Sequence, residues 1–458
     1  MNDQNPVEHE DPVGRESPVQ QGIPGLRSTP PDVAPPTPWR FPEPAEQVLD
    51  NGLRVLVHHL PGQQVVSALL VLDDPLHGEP RDLEGIATIT ARCLDEGTTA
   101  HPGEQYAELL ETEGAAFGVM NGLSGLQLLL DVPASRLPTG MALFAEAIRS
   151  PELADADVAR HRALRLDEIE QLRANSAQLA STLWRSELYG DEFRASRMNG
   201  GEPESVAQIT PEAVRAFHAE HYSPDRSTLI VAGDLTGLDA YALARDCFGD
   251  WESSNRDTPE HPAPTYREAR RRIVDRPGAV QADIRLGGRG IDRTDPRWPA
   301  FQVASYAMGG AFLSRLNKVL REEKGFTYGI SLAASPMRSG GAFAVSGSFR
   351  TEVVAESLTE IERILDISDA PFTDTEVAEA ISFLAGVAPL RYATADGVAD
   401  QTALQLLGGL PTDWLTGYLD AVREVTPEQA TAAYTEIVGA SELTLVVVGD
   451  ASAMGLTD

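Results

Sequence analysis

The 458-residue chain is longer than one hydrophobic core usually fills, so at least two folded domains are expected. Its 69 acidic against 37 basic side chains, a net charge of −32, exclude a nucleic-acid surface, which needs clustered Lys and Arg. No apolar run approaches the roughly 20 residues of a membrane span, so no membrane insertion is expected either.

The first residues, MNDQNPVEHEDPVGRESPVQ, lack the basic start and apolar core of a secretory signal, and a cytoplasmic location is the expectation. Residues 1–40 are Pro-rich and acidic, ending in STPPDVAPPTPWRFPEP, and read as a disordered tail or as a segment that docks on a partner. From Gln47 the chain predicts two strands: a turn at DNG, apolar alternation through Leu53, Val55 and Val57, then the run Val65 to Leu72. Helical periodicity follows from Gly85 to Leu94 and from Glu104 to Glu113, the second stopped by Gly114. A strand pair, AAFGVMNGLSGLQLLLDVP, comes next, then mainly helix from Ser135 to Tyr222, then the strand STLIVAGDL. Cys93 and Cys247 are too few for a disulfide framework or a cysteine zinc site, and read as small core residues ahead of reactive thiols.

An internal repeat organises the chain. ITPEAVRAFHAEHYSPDRSTLIVAGD (Ile209 to Asp234) aligns without a gap on VTPEQATAAYTEIVGASELTLVVVGD (Val425 to Asp450), sharing about ten identities. In both, Thr-Pro-Glu opens a helix and Gly-Asp closes a strand. LLETEGAAFG (Leu109 to Gly118) similarly matches VLREEKGFTYG (Val319 to Gly329), with Phe117 opposite Tyr328. Two similar α+β domains are therefore expected over 41–250 and 271–458, each an antiparallel-rich sheet packed with helices. They are joined by a polar, Pro-rich linker over 251–270.

Paired domains of this length with such closing strands resemble the insulinase-like (pitrilysin) metallopeptidases, in particular the short two-domain members. The resemblance runs from about Val48 to Ala453. It implies a zinc motif, His-x-x-Glu-His, on the helix GIATITARCLDEGT. In that motif two imidazoles one turn apart face the metal, the Glu between them activates water, and a Glu on a later helix completes the site. Here the first His falls at Thr88, the catalytic Glu at Ala91, the second His at Arg92, and the downstream Glu at Glu168. One carboxylate cannot hold catalytic zinc, and a cation at Arg92 would repel it, so no cofactor is expected in this chain. FHAEH groups His218, Glu220 and His221, but its repeat counterpart AYTEI lacks both histidines, and a surface helix is the expectation. His58 and His59 are neighbours in a strand and point to opposite faces.

The C-terminal half retains what the N-terminal half lost. SRLNKVLREEKGFTYGI is similar to the family's second motif, which implies that Arg321 and Tyr328 bind substrate and stabilise the oxyanion formed when water attacks a peptide carbonyl. From the residues alone, Arg321 could equally pair with Glu322 on a solvated face, and Tyr328 could be an aromatic packed after the Gly325 stop. GVMNGLSGLQLLLDV occupies the family position of an edge strand that pairs with extended peptides, and GGAFAVSGSFRTE (Gly340 to Glu352) reads as its later counterpart, a turn and a strand.

The resemblance implies the non-metal subunit of a heterodimeric zinc peptidase. Its partner would be a homologous zinc-bearing subunit, and the two chains would enclose a peptide substrate. The alternative is a pseudo-peptidase acting as a peptide-binding or scaffold protein.

Overall fold

The computed structural model describes residues 39–254, 259–439 and 441–456. The tail expected over 1–40 lies outside them but for its last two residues. The described residues form two sheets. The first contains β1 (Ala45–Val48), β2 (Arg54–His59), β3 (Val65–Leu72), β4 (Ala116–Gly122), β5 (Gly125–Pro133) and β6 (Ser227–Gly233), ordered β1-β2-β6-β3-β5-β4. The second contains β7 (Arg271–Asp275), β8 (Gln281–Gly290), β9 (Thr327–Pro336), β10 (Gly341–Arg350) and β11 (Thr444–Gly449), ordered β7-β11-β8-β10-β9.

Without β1 the two orders coincide. Each sheet has one parallel pair, β2 with β6 and β7 with β11, and ends in an antiparallel hairpin whose outer strand, β4 or β9, is the sheet edge. The repeat extends to single hydrogen bonds. Thr210 and Thr426 each cap a helix by accepting from a backbone N–H three residues on, of Ala213 and Gln429. Asp234 and Asp450, closing the two repeats, accept at 2.9 and 2.7 Å from the N–H of Gly62 and Gly278, each in a Pro-Gly turn. The strand β1 was not expected: its sequence AEQV is exposed at all four residues and carries no apolar alternation.

Each sheet has its own core. Leu70, Leu128, Phe144 and Val231 are among the buried side chains of the first, and Ile284, Phe301, Phe343 and Val447 of the second. Burying each such side chain stabilises by about 1.5–3 kcal/mol.

The opposite faces are covered reciprocally. The helix Ser176–Leu188, from the N-terminal half, lies on the second sheet, packing Ala180, Trp184 and Leu188 against Ala342, Val446 and Val448. Trp184 Nε1 donates to the carbonyl of Thr444 at 3.1 Å. The helix Ala395–Leu407, from the C-terminal half, lies on β3 and β6 of the first sheet, and its Thr402 Oγ1 is 3.0 Å from His58 Nε2. This exchange explains why β3 and β11 are apolar almost throughout: a strand covered on both faces has no solvent side to alternate with. The described part of the 251–270 stretch is tied to both halves, through Arg267 N–H to Leu188 O at 2.9 Å and Tyr266 hydroxyl to Gly341 O at 2.5 Å.

Candidate functional site

The helix Ile86–Arg92 is held by its first turn. The N–H groups of Gly85 and Ala87 donate to Glu79 Oε1 at 3.0 and 3.1 Å, and Arg194 holds the other oxygen of that carboxylate at 3.0 Å. Gly85 has φ of 102°, and a Cβ there would stand 2.6 Å from the carbonyl oxygen of Gly200, so only glycine fits. The helix start is thereby pinned against the turn that also receives Arg165, whose Nε donates to Gly200 O at 2.9 Å.

On this helix Ala91 is buried in the core and Thr88 Oγ1 accepts from Asn121 Nδ2 of the edge strand β4 at 3.3 Å. Arg92 reaches Glu168 on the helix Asp155–Ala174, with Nη1 2.8 Å from one oxygen and Nη2 3.0 Å from the other. Arg165 adds a third bond to Glu168 at 3.2 Å. Burial opposes ionisation of Glu168, but the hydrogen bonds and charges of Arg92 and Arg165 outweigh it and hold the carboxyl below its ordinary range. This set does not fit a zinc ion: the one carboxylate has both oxygens taken by guanidinium groups, and the remaining positions supply a hydroxyl, a methyl and a cation. Among the described residues, no group of three or more His, Cys, Asp or Glu is placed to hold a metal.

In the other half, the chain winds through a wide helical turn over Lys318–Glu323 and stops at Gly325, whose φ of 62° is a conformation glycine adopts without strain. Strand β9 follows at once, so Tyr328 is the second residue of a sheet edge. Its side chain is 95% exposed. Arg321 is held differently: Nε donates to Glu322 at 2.7 Å, Nη2 donates to the carbonyl of Phe312 at 2.7 Å, and the guanidinium carbon lies 3.7 Å from the centre of the Phe312 ring.

Models of two families match: Insulinase (Peptidase family M16) over residues 54–197 and Peptidase M16 inactive domain over residues 208–384. The chain belongs to the insulinase-like peptidase family. An uncharacterised zinc protease of Streptomyces coelicolor is 24% identical over 406 residues, 85% of this chain and 86% of that one. Two solved structures share the fold with a TM-score of 0.82 each. A peptidase M16 inactive domain from Pseudomonas fluorescens is 24% identical, covering 89% of this chain and 98% of its own, and a protease from Helicobacter pylori is 16% identical, covering 89% and 100%.

Against the pattern of that insulinase-like family, the structure brings Arg92 and Glu168 together, sets Thr88 one turn away against Asn121, and leaves Ala91 in the core. Arg321 and Tyr328 sit on consecutive elements of the second half. The histidines of FHAEH are not on a solvated surface as expected. His221 is buried, stacked on Phe217 with its Nδ1 2.6 Å from Asp74, and His218 lies 2.8 Å from the carbonyl of Ile148. Asp74 follows β3, and its charge accounts for a histidine on the inner face of that helix. His58 is buried and the adjacent His59 exposed, as strand geometry requires. Burial, reinforced by Asp157 and Glu96, pushes the Cys93 thiol up to about 12, and burial with Asp246 pushes Cys247 to about 11, so neither is a ready nucleophile. Among the described residues, no helix is long and apolar enough to cross a membrane.

Several functional contacts had little sequence signal. Arg165 stands one turn before Glu168, a spacing that could have flagged it. Phe312 lies in an irregular loop nine residues before Arg321, where no periodicity points to it.

Proposed function

We propose that this chain is the metal-free subunit of a two-chain zinc peptidase. In this reading it closes a peptide chamber with a homologous zinc-bearing subunit and supplies Arg321 and Tyr328 across that chamber. The observation that carries the reading is Tyr328. It is a large aromatic residue, 95% exposed at a sheet edge, in a chain whose own metal position is filled by Arg92 and Glu168. A tyrosine kept only for packing would be buried. An exposed phenol at a sheet edge is instead suited to act on a group brought by another chain. The phenol O–H and the guanidinium N–H groups would donate to the peptide oxygen as it gains negative charge, and a metal held by the partner would supply the activated water.

The second reading, a peptide-binding scaffold without catalysis, draws on Arg321, whose Nε and Nη2 already bond Glu322 and the Phe312 carbonyl. Purification of the chain with its native partner, followed by peptide-cleavage assays, separates the two. Expected results are chelator-sensitive cleavage by the complex, none by this chain alone, and a roughly 10²- to 10³-fold fall in kcat for Arg321→Ala or Tyr328→Phe. A complex whose cleavage ignores both substitutions, or the absence of any partner bearing His-x-x-Glu-His, would sink the peptidase reading in favour of the scaffold.

A further inference from the structure

The loop before Arg321 contains Phe312 and Leu313, exposed by 74% and 67%. Neither belongs to a core. Phe312 nevertheless makes two separate contacts with one guanidinium: its ring covers the face of Arg321 at 3.7 Å, and its carbonyl accepts from Nη2 at 2.7 Å. Glu322 takes Nε at 2.7 Å. Of the five N–H bonds of the guanidinium, these partners occupy one on Nε and one on Nη2. Nη1 makes no hydrogen bond to any described residue.

The geometry points to Phe312 as a positioning residue for Arg321, an inference that rests on the role given to Arg321 above. A guanidinium on a free side chain samples many rotamers, and ordering it at the moment of reaction costs rate. Stacking on an aromatic face fixes the plane of the group, and the carbonyl fixes its rotation within that plane. The donors left over, both on Nη1 and one on Nη2, are then held in one orientation on a side chain that keeps 16% of its surface exposed. The ring itself does not touch the reacting carbonyl. It acts through Arg321, and the exposure of Phe312 follows from holding a group that must stay reachable.

The discriminating substitutions are Phe312→Leu, which keeps an apolar side chain and the backbone carbonyl but removes the π face, and Phe312→Trp, which restores one. In the complex with its partner, Phe312→Leu is expected to lower kcat about 10-fold or more with KM within about twofold, and Phe312→Trp to recover most of the loss. In an Arg321→Ala background Phe312→Leu should have no further effect, because a residue that works through another is silent once that one is gone. The free chain gives an independent measurement. With labelled arginine, the side-chain protons of Arg321 should be shifted by the ring current of Phe312, a shift lost in Phe312→Leu and kept in Phe312→Trp.

If Phe312→Leu slows the Arg321→Ala complex by the same factor as the wild type, or the arginine resonance does not move on Phe312→Leu, the positioning role is overturned. If Arg321→Ala leaves cleavage unchanged, the role of Arg321 falls first and that of Phe312 in cleavage falls with it. The resonance then reports separately whether the stacking itself exists.

Discussion

Arg92 and Glu168 meet in a two-toothed contact, Nη1 2.8 Å from one carboxylate oxygen and Nη2 3.0 Å from the other, that ties the helix Ile86–Arg92 to the helix Asp155–Ala174. Arg165 makes the cluster two cations around one anion. The two deletions are therefore unequal. Arg92→Ala leaves Glu168 with Arg165, and because the Arg92 and Glu168 side chains are about a third exposed, solvent screening keeps the cost to about 1 kcal/mol. Glu168→Ala leaves two guanidinium groups facing each other and should cost about twice as much, in urea unfolding, as Arg92→Ala. The paired arginines hold the folded pKa of Glu168 below its unfolded value of 4.5, so this contribution is present above about pH 4.5 and is lost as pH falls through the folded pKa. The acid limb of the stability curve should flatten in Arg92→Ala.

The same geometry makes a metal prediction. Thr88 and Arg92 are one helical turn apart, and Glu168 is already within reach of position 92. Thr88→His with Arg92→His would present two imidazoles and a carboxylate released by Arg92, held then only by Arg165 through one oxygen, a three-ligand set of the kind zinc accepts. Metal analysis after dialysis should find about one zinc per chain in this double variant, none in the wild type, and none when Glu168→Ala is added. A folded double variant that takes up no zinc would show that the helices do not hold these positions at metal-binding separation.

His58 supplies a pH switch in stability. It is 1% exposed, its Nε2 lies 3.0 Å from Thr402 Oγ1, and burial drives its pKa from 6.5 down to about 4. The folded state keeps the ring neutral while the unfolded chain protonates it. Stability is therefore highest above pH 6.5 and declines as pH falls towards 4, by up to about 3 kcal/mol if His58 acts alone. Thermal unfolding between pH 7.5 and 4.5 should show the slope in the wild type and a shallower one in His58→Gln. Equal slopes would assign the effect to other groups.

How far the sequence foretold all this depended on the range of the interaction. The helix Glu104–Glu113 appears with the bounds its periodicity and Gly114 set, because start, face and stop are all local. The repeat foretold two sheets of one topology. Strand β1 escaped notice because AEQV has no buried face. The helix Ser176–Leu188 falls within the stretch expected to be helical, but its packing on the second sheet, and that of Ala395–Leu407 on the first, could not be read, since an amphipathic pattern says that a face is buried but not against which sheet. Arg92 stood out as a departure from a metal motif and Glu168 as the one ligand position it keeps, yet their pairing across 76 positions is a fact of tertiary structure. His221 was misread for the same reason: Asp74 stands 147 positions away.

Tyr328 offers the sharpest separation of structure from function. At 95% exposure it contributes almost nothing to the core, so Tyr328→Phe and Tyr328→Ala should each leave unfolding free energy within about 0.5 kcal/mol of wild type. Neither substitution should disturb Arg321, whose contacts are to Phe312 and Glu322. In the complex, Tyr328→Phe removes only the phenol donor and should depress kcat with KM nearly unchanged, the signature of an interaction made in the transition state and absent from the ground state. Tyr328→Ala also removes the ring and should raise KM in addition. If both variants cleave as the wild type does while Arg321→Ala does not, then the guanidinium alone faces the substrate and the phenol belongs to the subunit interface. In that case the affinity between subunits, measured by titration calorimetry, should fall for Tyr328→Ala and hold for Tyr328→Phe.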